Sequence, residues 1–91
     1  MGQGNRGRVV LDAEASMVQG MRVSLGEQLT NIRIKRRMTQ AQVAALLETS
    51  QSRVAFAEAG KPDVSLEFLI RGLLKLGDTP RSIGLAIMFV D

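Results

Sequence analysis

Apolar residues recur three and four positions apart through most of the chain beyond residue 24, a spacing that predicts amphipathic α-helices. One such stripe covers residues 25–37, a second residues 40–47, and a third residues 66–76. Each stripe gives its helix one apolar face. The three segments are therefore predicted to pack around a common core.

Capping signals place the starts of the first two helices. Ser24 and Glu27 have the spacing of a capping box, in which the serine oxygen accepts from a backbone amide and the glutamate reaches back. Thr39 and Gln42 repeat that spacing. The first helix is therefore predicted to begin at Ser24 and the second at Gln40.

Three more elements follow. Ser50 can cap a short helix over residues 51–59, and Ser65 can cap a fourth helix; a glycine follows each of them as a stop signal. The last element, residues 79–90, has Pro80 at its first helical position. Its apolar run suits a helix or a strand, and the helix is favoured.

The first 23 residues carry weaker signals. Residues 1–8 contain three glycines and two arginines, which predicts a flexible arm. Residues 9–23 mix strand-like and helix-like features, so both stay open. The sequence predicts an all-α, five-helix domain over residues 24–91 that follows a flexible N-terminal extension over residues 1–23.

Composition excludes several kinds of chemistry. The chain has 91 residues, which is enough for one small domain, and it contains no cysteine and no histidine. Disulfides, thiolate chemistry and histidine ligands or bases are therefore absent. The sequence shows neither a carboxylate pair in a metal-ligand context nor a glycine-rich phosphate loop. We expect no enzymatic activity, no metal and no cofactor.

The unit that points to function is residues 40–59, two short helices joined by a tight turn. The small Ala44 allows the two helices to cross closely at a steep angle. In that geometry the start of the second helix can reach base edges in the major groove, while the first helix lies across the DNA backbone. The net charge of +3 agrees with a polyanionic partner but is weak support alone.

Residues 25–77 resemble the Xre/Cro-type helix-turn-helix family, whose lambda-repressor-like domain occurs in phage repressors, bacterial regulators and antitoxins. The motifs that carry the resemblance are, in order, Arg33, Met38-Thr39-Gln40, Val43-Ala44, Ser50-Gln51-Ser52-Arg53-Val54, Glu58-Ala59-Gly60-Lys61, Ser65-Leu66 and Leu76-Gly77. The resemblance implies a lambda-repressor-like fold that binds double-stranded DNA.

It also implies roles for individual residues. Gln40 would contact a phosphate and brace the second helix of the unit, residues 51–59, which is the recognition helix of the family. Lys61 would contact the DNA backbone. At the start of that helix, glutamine can pair with adenine and arginine with guanine. The predicted DNA-binding residues are Gln40, Ser50, Gln51, Ser52, Arg53, Phe56 and Lys61. Arg33 and Glu58 match a structural ion pair of the family.

The sequence departs from the family in two places. Glu48 stands in the turn where the family usually has glycine, because that residue adopts a left-handed conformation. Phe56 stands where a polar, groove-facing residue is common, and Ala57 replaces a larger core side chain. Phe56 either faces thymine methyl groups or turns inward to fill the space beside Ala57; both stay open.

The last two elements carry more apolar side chains than one small core needs. Residues 9–11 could cover them within one chain, but we favour a two-fold dimer, which would place two recognition helices about 34 Å apart. The predicted dimer contacts are Ile70, Leu74, Ile83 and Ile87.

The function predicted is a homodimeric transcriptional repressor acting on a pseudo-palindromic operator. The alternative is an antitoxin that binds a toxin enzyme, through residues 1–23, and represses its own operon. No segment has the roughly 20 apolar residues needed to span a membrane, and the N-terminus lacks a secretion signal. The expected location is the cytoplasm, at the nucleoid when the protein is bound to DNA.

Overall fold

A computed structural model describes the backbone of residues 2–88 and the side chains of residues 12–88. Over residues 2–88 the chain is all-α, as predicted, and contains no strand. Its five helices are α1 (Gly2–Lys35), α2 (Gln40–Leu46), α3 (Gln51–Glu58), α4 (Leu66–Lys75) and α5 (Pro80–Met88). The last element is thus a helix. Phe89 and Val90 lie outside the described residues, as do the side chains of the predicted arm, 1–8, and of residues 9–11, the possible cover for the apolar face.

Helix α1 does not begin at Ser24, so that part of the prediction is wrong. The helix passes through residues 9–23, which the sequence left open between helix and strand. Ser24 lies in its interior, and its hydroxyl donates to the carbonyl oxygen of Ala86 at 2.6 Å. A serine and a glutamate three residues apart can therefore occur inside a helix when the preceding residues continue it; here residues 12–23 include the good helix formers Ala and Met, each of which occurs twice.

The other helix starts are where the caps place them. Thr39 and Gln42 form the complete capping box of α2, with hydrogen bonds of 3.1 and 2.8 Å in the two directions. The Ser50 hydroxyl accepts from the third amide of α3, and the Ser65 hydroxyl does the same for α4. These bonds satisfy backbone donors that have no partner inside the helix.

The C-terminal half of α1 lies at the centre of the fold. It packs against α3, α4 and α5, while α2 packs mainly on α3. The buried core draws on all five helices and the loop before α4: Leu25, Leu29, Val43, Ala44, Val54, Ala57, Val64, Leu69, Leu73, Leu76 and Ile83. The apolar stripes found in the sequence therefore do face one core.

One of the four predicted dimer contacts is wrong. Ile83 is only 6% exposed because α5 turns it into the core of its own chain, so it has no surface to offer a second copy. Ile70 and Ile87 are partly buried against that core. Leu74 is 44% exposed.

Candidate nucleic-acid interface

A tight turn sets the angle between α2 and α3. Glu48 adopts the left-handed conformation expected from the resemblance, with φ at 55°. The amide of Thr49 then donates to the carbonyl oxygen of Ala44 at 2.9 Å and closes the end of α2. This reversal within a few residues brings α3 across α2.

Helix α3 is fixed on one side and exposed at its start. Val54 and Ala57 are fully buried against the core. Ser50, Gln51, Ser52 and Arg53 are all exposed at the N-terminal end. The helix therefore presents its first turn to solvent while its apolar side holds it in place, the arrangement that a major-groove reading helix requires.

Close backbone contact between α1 and α3 explains why residue 26 is glycine. A Cβ atom placed on Gly26 of α1 would lie 2.4 Å from the carbonyl oxygen of Ala57, closer than atoms can approach. The glycine and the alanine together let α1 and α3 touch. Ala57 is fully buried, and Phe56 does not turn inward beside it, because 46% of its surface is exposed.

The predicted ion pair between Arg33 and Glu58 is present and has a third member. The arginine donates two hydrogen bonds to the carboxylate, Nε to Oε2 at 2.5 Å and Nη2 to Oε1 at 3.0 Å. Gln40, the first residue of α2, donates from Nε2 to Oε1 at 3.0 Å. One carboxylate therefore joins α1, α2 and the end of α3.

The network holds Glu58 ionised. Its side chain is only 7% exposed, and burial alone would raise its pKa. The hydrogen bonds from Arg33 and Gln40 outweigh burial and lower the pKa below the ordinary value. The pKa of Arg33 is raised, chiefly by its hydrogen bond to Glu58. Both groups are therefore charged at neutral pH.

A second set of contacts fixes the loop that follows α3. Gln19 of α1 donates to the carbonyl oxygen of Gly60 at 2.6 Å, and Arg22 donates to that of Val64, also at 2.6 Å. Lys61 is exposed between these two anchor points. The sequence did not predict this role for Gln19 and Arg22; their spacing of three residues, which aligns them on one helical face, was the available signal.

Arg53 has an aromatic partner. Its guanidinium carbon lies 4.6 Å from the centre of the Phe68 ring, at the start of α4. This distance is within the range of a cation–π contact. The contact links α3 to α4.

One residue of the basic segment at the end of α1, residues 35–37, has a structural role. Arg36 donates from Nη1 to the carbonyl oxygen of Leu76 at the C-terminal end of α4. Lys35 and Arg37 are exposed. Arg36 thus caps the end of α4.

Within the described residues, no group of three or more acidic, histidine or cysteine side chains is placed to hold a metal ion. In the same part of the chain, no helix is long and apolar enough to cross a membrane.

Comparison with known proteins supports the same family. A family model described as a helix-turn-helix domain matches residues 24–81. No curated protein matches the chain, and no solved structure matches it. The family match covers more than half of the chain and agrees with the Xre/Cro-type resemblance. The protein therefore belongs to the helix-turn-helix domain family, a class of DNA-binding domains.

Proposed function

We propose that this protein is a homodimeric transcriptional repressor that binds a pseudo-palindromic operator. The main supporting observation is the exposed first turn of α3, which contains Gln51, Ser52 and Arg53. The buried side of the same helix packs against the core and holds the helix in place. Glutamine and arginine are the side chains best suited to bidentate pairing with adenine and guanine.

The residues around α3 supply the contacts that would fix its register. Lys61 stands exposed in the loop after α3 and can reach a phosphate. Gln40 donates to Glu58 from the start of α2, and the resemblance to the family implies that it also contacts a phosphate. Phosphate contacts on both sides of α3 would hold its first turn in the groove.

Exposed apolar side chains on α4 and α5 support a dimer. Leu74, Leu85 and Met88 have 44%, 46% and 69% of their surfaces exposed. Leu85 and Met88 take the place of Ile83 among the candidate dimer contacts. Leu74, Ile70 and Ile87 remain candidates. A two-fold pairing through this face would present two α3 helices to successive major grooves, as a pseudo-palindromic site requires.

The proposal is tested by measuring affinity for the duplex upstream of the protein's own gene, at salt concentrations from 50 to 200 mM, against a scrambled duplex of the same composition. We expect tighter binding to the upstream duplex. We also expect the logarithm of the affinity to fall linearly with the logarithm of salt, by about 0.9 for each phosphate contacted. Equal affinity for both duplexes, or no salt dependence, would contradict specific regulation.

Two lysine variants test whether Lys61 contacts a phosphate. Lys61→Ala should weaken binding to both duplexes and reduce the salt slope by about 0.9 for each phosphate that the lysine neutralises. Lys75→Ala removes the same charge from the exposed end of α4, which lies outside the predicted DNA contacts. It should leave the slope unchanged.

An antitoxin is the second candidate function, and one observation favours it. Residues 12–18 of α1 are all exposed, and they include the apolar Met17 and Val18. This stretch of helix is free to bind another protein. Co-expression with the product of the neighbouring gene tests the idea: a stable complex that Met17→Asp disrupts supports it, and separate elution of the two proteins contradicts it.

A further inference from the structure

We propose that Phe68 is a positioning residue that holds the guanidinium of Arg53 ready to read one guanine in each half-site. This inference rests on the proposed DNA-binding function and adds to it a specificity determinant outside the recognition helix. The observation behind it is the 4.6 Å contact between the Arg53 guanidinium carbon and the Phe68 ring centre.

The ring is the fixed partner in this contact. Phe68 lies in the first turn of α4, where its backbone amide donates to the Ser65 hydroxyl at 3.0 Å. Its side chain packs against the core and is only partly exposed. Arg53 is exposed on α3. A long arginine side chain on the surface has many rotamers, and stacking on an immobile ring reduces their number.

The stack leaves the hydrogen-bonding edge of the guanidinium available. A cation–π contact uses the flat face of the group, whereas its N–H donors lie in the plane. Among the described side chains, no carboxylate pairs with Arg53; Glu58 pairs with Arg33, and Glu67 pairs with Arg71. The in-plane donors therefore have the geometry needed for O6 and N7 of a guanine.

Preorganisation has a specific consequence for affinity. A side chain that is already ordered loses less conformational entropy when it binds its target. Phe68 should therefore strengthen the preference for guanine at the base pair that Arg53 reads and leave the other positions unchanged. A purely structural Phe68 would change the amount of folded protein and affect every DNA sequence equally.

The experiment begins with wild-type protein and a randomised duplex DNA library, from which the preferred site is selected and sequenced. Affinities are then measured for that duplex and for duplexes carrying one changed base pair. Because each preference is a ratio measured on one protein preparation, a smaller folded fraction cancels out. Phe68→Leu removes the ring and keeps an apolar side chain, whereas Phe68→Tyr keeps the aromatic face.

Phe68→Leu should lower the guanine preference at one base pair of each half-site about two- to fivefold, the range expected for an exposed cation–π contact. Phe68→Tyr should keep the wild-type preference for guanine. Arg53→Ala should remove the preference at that base pair, and adding Phe68→Leu to Arg53→Ala should have no further effect. Arg53→Lys keeps the charge but has neither the planar group that stacks on the ring nor its fixed fork of donors, and it should lower the preference.

Wild-type preference in Phe68→Leu, or an equal loss at all base pairs, would overturn the positioning role while leaving the DNA-binding function in place. A wild-type protein that selects no sequence from the library would overturn both. An additional loss of preference when Phe68→Leu is combined with Arg53→Ala would also overturn the inference, because Phe68 would then act independently of Arg53.

Discussion

At the scale of single residues, Glu58 is the carboxylate on which three helices depend. Its hydrogen bonds from Arg33 and Gln40 are made to a charged group that is 7% exposed. Removing the charge leaves the arginine without its partner. We expect Glu58→Gln to lower the free energy of unfolding by about 1–3 kcal/mol at pH 7, measured by urea denaturation.

The same residue predicts a dependence of stability on pH. The pKa of Glu58 in the folded chain is below its ordinary value of 4.5, since hydrogen bonds outweigh burial. The stability that ionised Glu58 gives to the folded chain is therefore fully present above about pH 4.5. It is lost as the pH falls through the pKa of Glu58 in the folded chain. Between pH 5 and pH 3 the wild type should lose more stability than Glu58→Gln. If the free energy of unfolding fell equally with pH in the two proteins, this role of Glu58 would be contradicted.

Glu48 is strained by its left-handed conformation, with φ at 55°. A glycine there would have no Cβ to clash, so Glu48→Gly should raise the free energy of unfolding by about 1 kcal/mol in thermal or urea denaturation. Glu48→Ala is the control because it removes the charge and keeps the Cβ. If both variants gain the same stability, charge and not backbone strain is the cause.

The residue-level features differ in how far the sequence could reveal them. The Arg33–Glu58 pair, whose members are 25 residues apart, and the conformation of Glu48 could be predicted because the resemblance to the family implies both. The outward direction of Phe56 and the stacking of Arg53 on Phe68 do not follow. They depend on how closely α1, α3 and α4 approach one another, and spacing along the chain does not carry that information.

At the scale of elements, the contact between α1 and α3 sets the position of the recognition helix. Gly26→Ala would place a methyl group against the backbone of Ala57. We expect a loss of about 1–3 kcal/mol from overpacking, with weaker DNA binding because α3 must move. Both effects can be measured on the same preparation by denaturation and by binding to the selected duplex.

Gly84→Ala is the matched control for this prediction. Gly84 lies in α5, where an added Cβ meets nothing within 4 Å. Alanine is the better helix former, so this variant should gain up to about 1 kcal/mol. A similar gain for Gly26→Ala would mean that α1 and α3 do not touch as described.

The start of α1 shows why one element boundary was wrong while the others were right. Thr39, Ser50 and Ser65 each follow a loop, so their hydroxyls are free to cap. Ser24 has the same local sequence signal, but the helix before it is held by distant contacts, such as that of Gln19 with Gly60, 41 residues away. Local rules cannot detect such a contact.

At the scale of the whole molecule, the exposed apolar face of α4 and α5 predicts a dimer. Leu74→Glu should convert the protein to a monomer in sedimentation experiments and weaken its binding to a two-fold symmetric duplex, because a buried charge without a partner opposes association. Leu46→Glu is the control in sedimentation alone, where it should remain a dimer, since Leu46 is also 44% exposed but lies on α2, away from α4 and α5. A Leu74→Glu protein that remains a dimer would place the interface elsewhere.

Whether the first turn of α3 reads bases can be tested by selection of DNA sequences. Wild type, Gln51→Ala and Arg53→Ala should each be used to select sequences from a randomised duplex library. We predict that the wild type selects a two-fold symmetric site and that each variant loses its preference at one base pair per half-site while keeping the rest. Selection of the same site by all three proteins, or of no site by the wild type, would contradict the account.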